Sequence, residues 1–314
     1  MMAQLKYHEI WDAFEARLRS LFLHCNGKQV VIWGYGHSGR FLEHVFRRHG
    51  KQIELRMDAD GKVRGVERPV ILGQLDPETH VVLLTFPPTE DVIERLERHG
   101  FRRGTSYLPV VEFFYGREEV RGLNYHDWIE HMAPSTDLWK TEMDVNAASR
   151  EFSEFSRGAE YSLVEVLDNF CFTQDDRIFD YGCGKGSALV LFERAGVSWG
   201  GLEYDSRMYD TCIRNLQELG LPIDSVHQGN AAEFSEIDVY NYFYMYNPFV
   251  GETFRAVIYQ MEASWKRKPR VMTLIYSNPF CHASVVSHGI FRWTKTIPAD
   301  FYIPDVYVYQ TKAE

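Results

Sequence analysis

The stretch that decides the fold is RIFDYGCGKGSALVLFERAGVSWGGLE, residues 177–203. Arg177–Tyr181 has the apolar and aromatic composition of a short strand. It runs straight into Gly182-Cys183-Gly184-Lys185-Gly186, a turn with three alternate glycines. Ser187–Arg194 is rich in helix formers, with Leu189, Leu191 and Phe192 apolar. Trp199–Glu203 is a second apolar strand and ends in an acid. Strand, glycine turn, helix, strand and acid make half of a nucleotide-binding α/β unit. Glycine lets the backbone turn sharply and lets a ligand approach without meeting a Cβ. The helix N-terminus presents unpaired N–H groups to that ligand. An acid about 20 residues on can take both hydroxyls of a ribose.

The spacing is Asp-x-Gly-x-Gly-x-Gly, with Asp180 at the strand end itself. A carboxylate there repels a pyrophosphate and suits a cationic ligand. The alternative is a glycine-rich turn in some other α/β domain. The stretch resembles motif I of the class I S-adenosylmethionine (SAM) methyltransferases, and Glu203 stands where that family's ribose-binding acid stands. The resemblance covers roughly Tyr161 to Glu314. It implies a Rossmann-like seven-stranded sheet and SAM as cofactor. The contacts it implies are Asp180, Gly182, Cys183, Gly184, Gly186 and Glu203. Tyr204, directly after the ribose acid, is placed to flank an adenine ring.

Other segments of this half fit the same layout. Phe152 to Phe170 has Leu163, Val164, Val166, Leu167 and Phe170 at helical spacing. In the family the segment before it lies over the cofactor, which makes Tyr161 or Arg157 a contact for the methionine end. The competing reading is a capped helix start with a packing tyrosine. A helix bearing Met208, Cys212, Ile213 and Leu216 follows Tyr204, capped by Asp205 or Ser206. A third strand, Pro222 to His227, leads to Gln228-Gly229-Asn230-Ala231. The resemblance places Asn230 and Ala231 at the adenine edge, with an amide where the family commonly has an acid. The fourth strand, Val239 to Tyr246, ends in Asn247-Pro248-Phe249. This resembles the Asn-Pro-Pro-Phe/Tyr motif of amino methyltransferases with the second proline missing. It implies that Tyr246, Asn247, Pro248 and Phe249 face the methyl acceptor, the aromatic shielding the transferring methyl. A strand end with a proline turn reads equally well. A helix from Glu252 to Trp265 and a strand from Val271 to Tyr276 come next, the strand ending in a second such triplet, Asn278-Pro279-Phe280. Gly289 to Thr294 and Asp305 to Gln310 alternate as strands do, and suit the antiparallel pair that closes the family's sheet.

The first third reads as a smaller Rossmann-like α/β domain. Leu5 to His24 has the spacing of an amphipathic helix. Gln29–Trp33 is a strand feeding Gly34-Tyr35-Gly36-His37-Ser38-Gly39 and a helix with Phe41, Leu42, Val45 and Phe46. Ile53 to Met57 is a second strand ending in Asp58, and Val81 to Thr85 a third, before a helix that stops at Gly100. The segment resembles short N-terminal domains attached to bacterial sugar-modifying enzymes. Two readings stand: a nucleotide or nucleotide-sugar site at Gly34, Gly36, Gly39 and Asp58, or a tight turn in a docking or dimerisation module. The expected boundaries are 1–115 for this domain, 116–150 for a linker holding a short helix around Tyr125–Met132, and 151–314 for the second domain.

The chain has 314 residues, 45% hydrophobic and 25% charged, as a soluble globular protein of one large or two ordinary domains does. A net charge of −10 disfavours a nucleic-acid substrate. Five cysteines without Cys-x-x-Cys pairing fit a reducing compartment, with no metal site and no disulfide framework. Charges run through the first helix, so it is neither signal peptide nor membrane span, and a cytoplasmic location is expected. The expected function is methyl transfer from SAM to a small-molecule or sugar acceptor. The rivals are a nucleotide-sugar or NAD-dependent enzyme using the first glycine turn, a lysine-type protein methyltransferase, and a catalytically dead SAM-binding module. A homodimer through the first domain is a further expectation. No general base is assigned; His227, His282, His288, Tyr244 and Tyr246 are its candidates.

Overall fold

The computed structural model describes residues 6–53, 55–57, 71–116, 122–138, 163–164, 166–298 and 305–312. The expected cofactor contacts Arg157 and Tyr161, and Asp58 of the first glycine turn, lie outside the described residues. The chain divides into two compact units, Met1–Pro134 and Ser135–Glu314.

The first unit holds α1 (Tyr7–His24), β1 (Gln29–Trp33), α2 (His37–Arg48), β2 (Leu55–Met57), β3 (His80–Leu84), α3 (Glu90–Arg98), β4 (Tyr107–Pro109), α4 (Val110–Tyr115) and α5 (Tyr125–Met132). Its parallel sheet runs β2-β1-β3-β4. The strands β1 and β3 are near-continuous apolar runs because helices cover both faces of a parallel sheet. The strand β4 is one more than the three expected; it has three residues and ends in Pro109, which suits a sheet edge. Helix α5 falls inside the stretch expected to be a linker, yet it belongs to this unit. Trp128 Nε1 donates to Ile10 O at 2.9 Å, and the Trp128 ring meets Phe14 edge-on at 5.6 Å.

The second unit holds β5 (Arg177–Tyr181), α6 (Ser187–Ala195), β6 (Ser198–Glu203), α7 (Ser206–Glu218), β7 (Val226–Gln228), β8 (Tyr242–Tyr246), α8 (Gly251–Arg267), β9 (Thr273–Ser277), α9 (His282–His288), β10 (Phe291–Ile297) and β11 (Val306–Thr311). The sheet order is β10-β11-β9-β8-β5-β6-β7. The five strands from β9 to β7 are parallel, and β11 lies antiparallel between β9 and β10. This is the α/β, seven-stranded Rossmann-like arrangement that the sequence leads one to expect. The strands β7 and β8 start four and three residues later than the sequence suggests. Pro222 to Ser225 lie outside β7, and Val239 to Asn241 precede β8 because the Asn241 side chain caps the start of β5, accepting from Arg177 N and donating to Asp176.

One apolar core fills the sheet face under α8. It contains Phe179, Tyr181, Phe243, Met245, Phe254, Met261 and Tyr276, each at most 1% exposed. Each such side chain contributes roughly 1.5–3 kcal/mol by burial. The strand order reverses at β5, with β6 on one side and β8 on the other. In open α/β sheets that reversal leaves a crevice at the carboxyl ends of the strands. The glycine turn stands there.

Candidate functional site

The turn after β5 is built on left-handed backbone. Gly182, Gly184 and Gly186 have φ of 80, 56 and 90°. A side chain in that region costs roughly 1–2 kcal/mol. Two of the three positions also lack room. A Cβ on Gly182 would lie 2.7 Å from Pro248 Cβ, and one on Gly186 would lie 2.8 Å from Cys212 Sγ. The turn is fastened to the neighbouring strand by Gly182 N and Cys183 N, which both donate to Leu202 O at 2.8 and 3.0 Å. Cys183 is itself buried, beneath the turn and against Gly201. A hydrogen bond with Cys212, then burial, holds its thiol well above the usual range, so it packs rather than reacts.

Glu203 completes the crevice. Its Oε2 accepts Gly184 N at 2.8 Å and its Oε1 accepts Asp205 N at 2.9 Å. A carboxylate has about four acceptor sites, so the group keeps acceptor capacity beyond these bonds for a ligand hydroxyl. Asp180 is 3% exposed, at the end of β5. Burial, then the charge of Glu203, raises its pKa well above 3.8. Burial raises Glu203 as well, opposed by the N–H groups of Asp205, Gly184 and Tyr204. Two carboxyls gathered this way favour a cation or a hydrogen-bond donor and disfavour a phosphate.

The other expected contacts fall as follows. Tyr204 is 42% exposed beside Glu203, an open aromatic at the crevice. Gly229 N donates to Glu203 O at 2.9 Å, which draws the loop holding Asn230 and Ala231 to the same edge. The Asn230 side chain is engaged in its own turn, accepting Ala232 N at 3.0 Å; Ala231 is buried. Pro248 packs on Gly182, so the turn after β8 touches the glycine turn directly. Asn247 sits at φ 43° and accepts from Tyr276 Oη at 3.3 Å. Tyr246 is partly buried at the end of β8. Phe249 points the other way: it is 2% exposed, with Tyr181 and Phe254 as ring neighbours, and belongs to the core. Among the candidate bases, His282 Nδ1 is engaged with Tyr309 Oη at 2.7 Å and His288 with Glu262 at 3.4 Å.

Sequence reasoning missed Lys185. It lies inside the glycine turn, is 1% exposed, and its Nζ pairs with Asp137 Oδ1 at 3.0 Å. Asn215 clamps both ends of this contact, donating to Lys185 O at 3.0 Å and accepting Asp137 N at 2.8 Å. The signal is a lysine among apolar and glycine neighbours, but its partner is remote in sequence.

The first unit's glycine turn is packed by its own chain. A Cβ on Gly34, at φ 96°, would lie 2.5 Å from the Phe86 ring and 2.8 Å from Thr85 Oγ1; one on Gly39 would run into Gly34 O. Leu123 N donates to Ser38 Oγ at 2.9 Å. Gly36 alone has open space around it and an ordinary negative φ. Among the described residues no helix is long and apolar enough to cross a membrane, and no group of three metal-ligating side chains is present.

No protein-family model matches the sequence, and a search of curated proteins finds no match. Some solved structures resemble part of the chain, each with a TM-score below 0.5. A mitomycin 7-O-methyltransferase is 13% identical over 49% of this chain and 54% of its own, with a TM-score of 0.40. The magnesium protoporphyrin IX methyltransferase of Synechocystis PCC 6803, solved with bound SAM, is 16% identical over 48% of this chain and 77% of its own, TM-score 0.38. An RNA methyltransferase of Salinibacter ruber, in complex with S-adenosyl-L-homocysteine (SAH), is 16% identical over 52% and 95%, TM-score 0.36. The chain thus spans about half the length of the mitomycin enzyme. Likeness this distant carries no activity or ligand across to this chain.

Proposed function

We propose that the second unit binds SAM in the crevice between the glycine turn and Glu203 and transfers its methyl group to a small-molecule or sugar acceptor at the end of β8. The observation that carries this reading is the pair of carboxyls at adjacent strand ends, Asp180 buried and Glu203 held by two backbone N–H groups, beside a turn with no Cβ. SAM supplies a methyl group already activated on a sulfonium. The chain's own part is binding, alignment and exclusion of water. Glu203 accepts from the ribose hydroxyls with the acceptor capacity its backbone bonds leave. Asp180 stands behind the turn as a negative group favouring a cation. Tyr204 lies against the adenine. Asn247, Tyr246 and Pro248 shape the acceptor side, and Phe249 supports that turn from the core. Alignment of attacking atom, methyl and sulfur supplies at best about 7–11 kcal/mol of the barrier.

Calorimetric titration with SAM, SAH, NADH and a UDP-sugar tests this. Micromolar binding of SAM or SAH, lost in Asp180→Ala and Glu203→Ala, is the expected result. Binding of only a dinucleotide or nucleotide-sugar would move the site to the turn at Gly34–Gly39.

A further inference from the structure

The first unit holds a cavity of about 320 Å³ at the amino ends of β1 and β2, the far end of those strands from the glycine turn. Small-molecule sites start at about this size. Gln29 and Leu55, the first residues of the two strands, line it. The last turns of α1 and α2 wall it with Phe22 and Phe46, whose rings meet edge-on at 4.8 Å.

Two cations, Lys28 and Lys51, line this cavity, and among its described lining residues there is no acid. Lys28 Nζ donates to two backbone carbonyls, Pro77 O at 3.0 Å and Thr105 O at 3.5 Å. Lys51 Nζ stands 6.0 Å from the centroid of the Phe22 ring. Neither ammonium meets a carboxylate among the described residues. The chain has a net charge of −10 and gives many of its other cations an acid: Arg56 has Glu43, Lys185 has Asp137, Lys266 has Glu262 and Arg267 has Asp238. Two uncompensated lysines at one apolar-walled cavity therefore make a local positive site in an acidic protein.

Lysines beside helix ends commonly serve to cap the last carbonyls. These two do not. Pro77 and Thr105 lie in the loops before β3 and β4, outside both helices. The helix ends are closed by backbone instead: Cys25 N donates to Leu21 O at 3.0 Å, His49 N to Val45 O at 3.3 Å and Lys51 N to Phe46 O at 2.9 Å. Burial, then the charge of Lys28, lowers the pKa of His24, the last residue of α1, so that charge is felt by its surroundings rather than cancelled.

We propose that this cavity binds a small organic anion, its apolar body against Phe22 and Phe46 and its phosphate or carboxylate between Lys28 and Lys51. An ammonium is a point charge and takes either group without demanding a fixed geometry. The amides of Gln29 and Gln52, also on the lining, supply donors for the remaining oxygens. The site belongs wholly to the first unit, so it stands or falls apart from the SAM reading.

The test is an NMR titration of the full chain with phenyl phosphate, benzyl alcohol and inorganic phosphate, read at the amides of Gly27 and Val30, which line the cavity. Phenyl phosphate binds with millimolar affinity or better and moves both signals. Benzyl alcohol, which lacks the charge, and inorganic phosphate, which lacks the ring, each bind at least about tenfold more weakly. Lys51→Gln weakens phenyl phosphate by about fivefold and Lys51→Glu by more, while Lys51→Arg stays within about twofold of the parent. Lys51 is exposed, so none of these changes threatens the fold, and none alters SAH affinity. If phenyl phosphate leaves the Gly27 and Val30 signals unmoved, or binds Lys51→Glu as tightly as the parent, the proposal is overturned. Benzyl alcohol binding as well as phenyl phosphate overturns the anionic ligand, and inorganic phosphate binding as well overturns the apolar body.

Discussion

Glu203 is hydrogen-bonded on both oxygens before any ligand arrives, and this makes it a structural group as well as a binding one. Glu203→Gln replaces one acceptor by a donor that faces a backbone N–H. We expect a loss of about 1–3 kcal/mol in urea unfolding, together with at least about a tenfold loss of SAM affinity. Asp180 gives a prediction of opposite sign. Its pKa is raised in the folded chain, so the folded state holds more protons than the unfolded state above about pH 4, and stability falls as pH climbs from there to the raised value. Asp180→Asn removes that slope. Its melting temperature at pH 7 rises, by about 3 °C for each kcal/mol released, while SAM binding is lost; scanning calorimetry across pH checks the first and titration the second. Glycines divide by what surrounds them. Gly182→Ala meets Pro248 and a positive φ, so cofactor binding and stability fall together, whereas Gly36→Ala, in open space, leaves stability within about 1 kcal/mol. The chemistry of Asp180, the glycines and Glu203 is legible in the sequence because a single strand–turn–helix–strand unit carries all of it. The fate of the two phenylalanines, Phe249 in the core and Phe280 exposed, is not legible, because identical triplets give no sign of which ring the core takes.

Elements were legible where composition alone settles them. Gln29–Trp33 and Arg177–Tyr181 are apolar runs that stop at glycine, and both strands begin and end where the pattern says. Tyr107–Pro109 was not legible, since three residues ending in proline carry no periodicity and only the neighbouring β3 makes them a strand. The start of β8 was misplaced because side-chain capping by Asn241, not hydropathy, sets it. The clamp of Asp137, Lys185 and Asn215 belongs to this scale too, tying the segment before the second sheet to the glycine turn and to α7. Asp137→Ala removes a partner from a buried lysine. The expected loss is about 2 kcal/mol, below the 3–5 kcal/mol of a fully buried pair because the Asp137 side chain is 31% exposed. Urea unfolding measures it, and SAM affinity should drop with it, since Lys185 lies inside the turn.

At the scale of the molecule, two compact units divide the chain after Pro134, and every proposed cofactor contact lies in the second. A chain beginning at Ser135 should therefore keep SAM affinity within about threefold of the whole; calorimetry on the two proteins decides it, and a collapse of binding would give the first unit a share in the site. The order of strands in the second sheet bears on how this protein is made. The strand β11 is synthesised after the other six yet lies inside the sheet, between β9 and β10. As the chain leaves the ribosome, β9 presents an unpaired edge and β10 has no neighbour to join until residues 306–311 emerge. Until those residues emerge the nascent protein carries two sticky strands, and it is then, rather than in the finished fold, that it has most need of a chaperone.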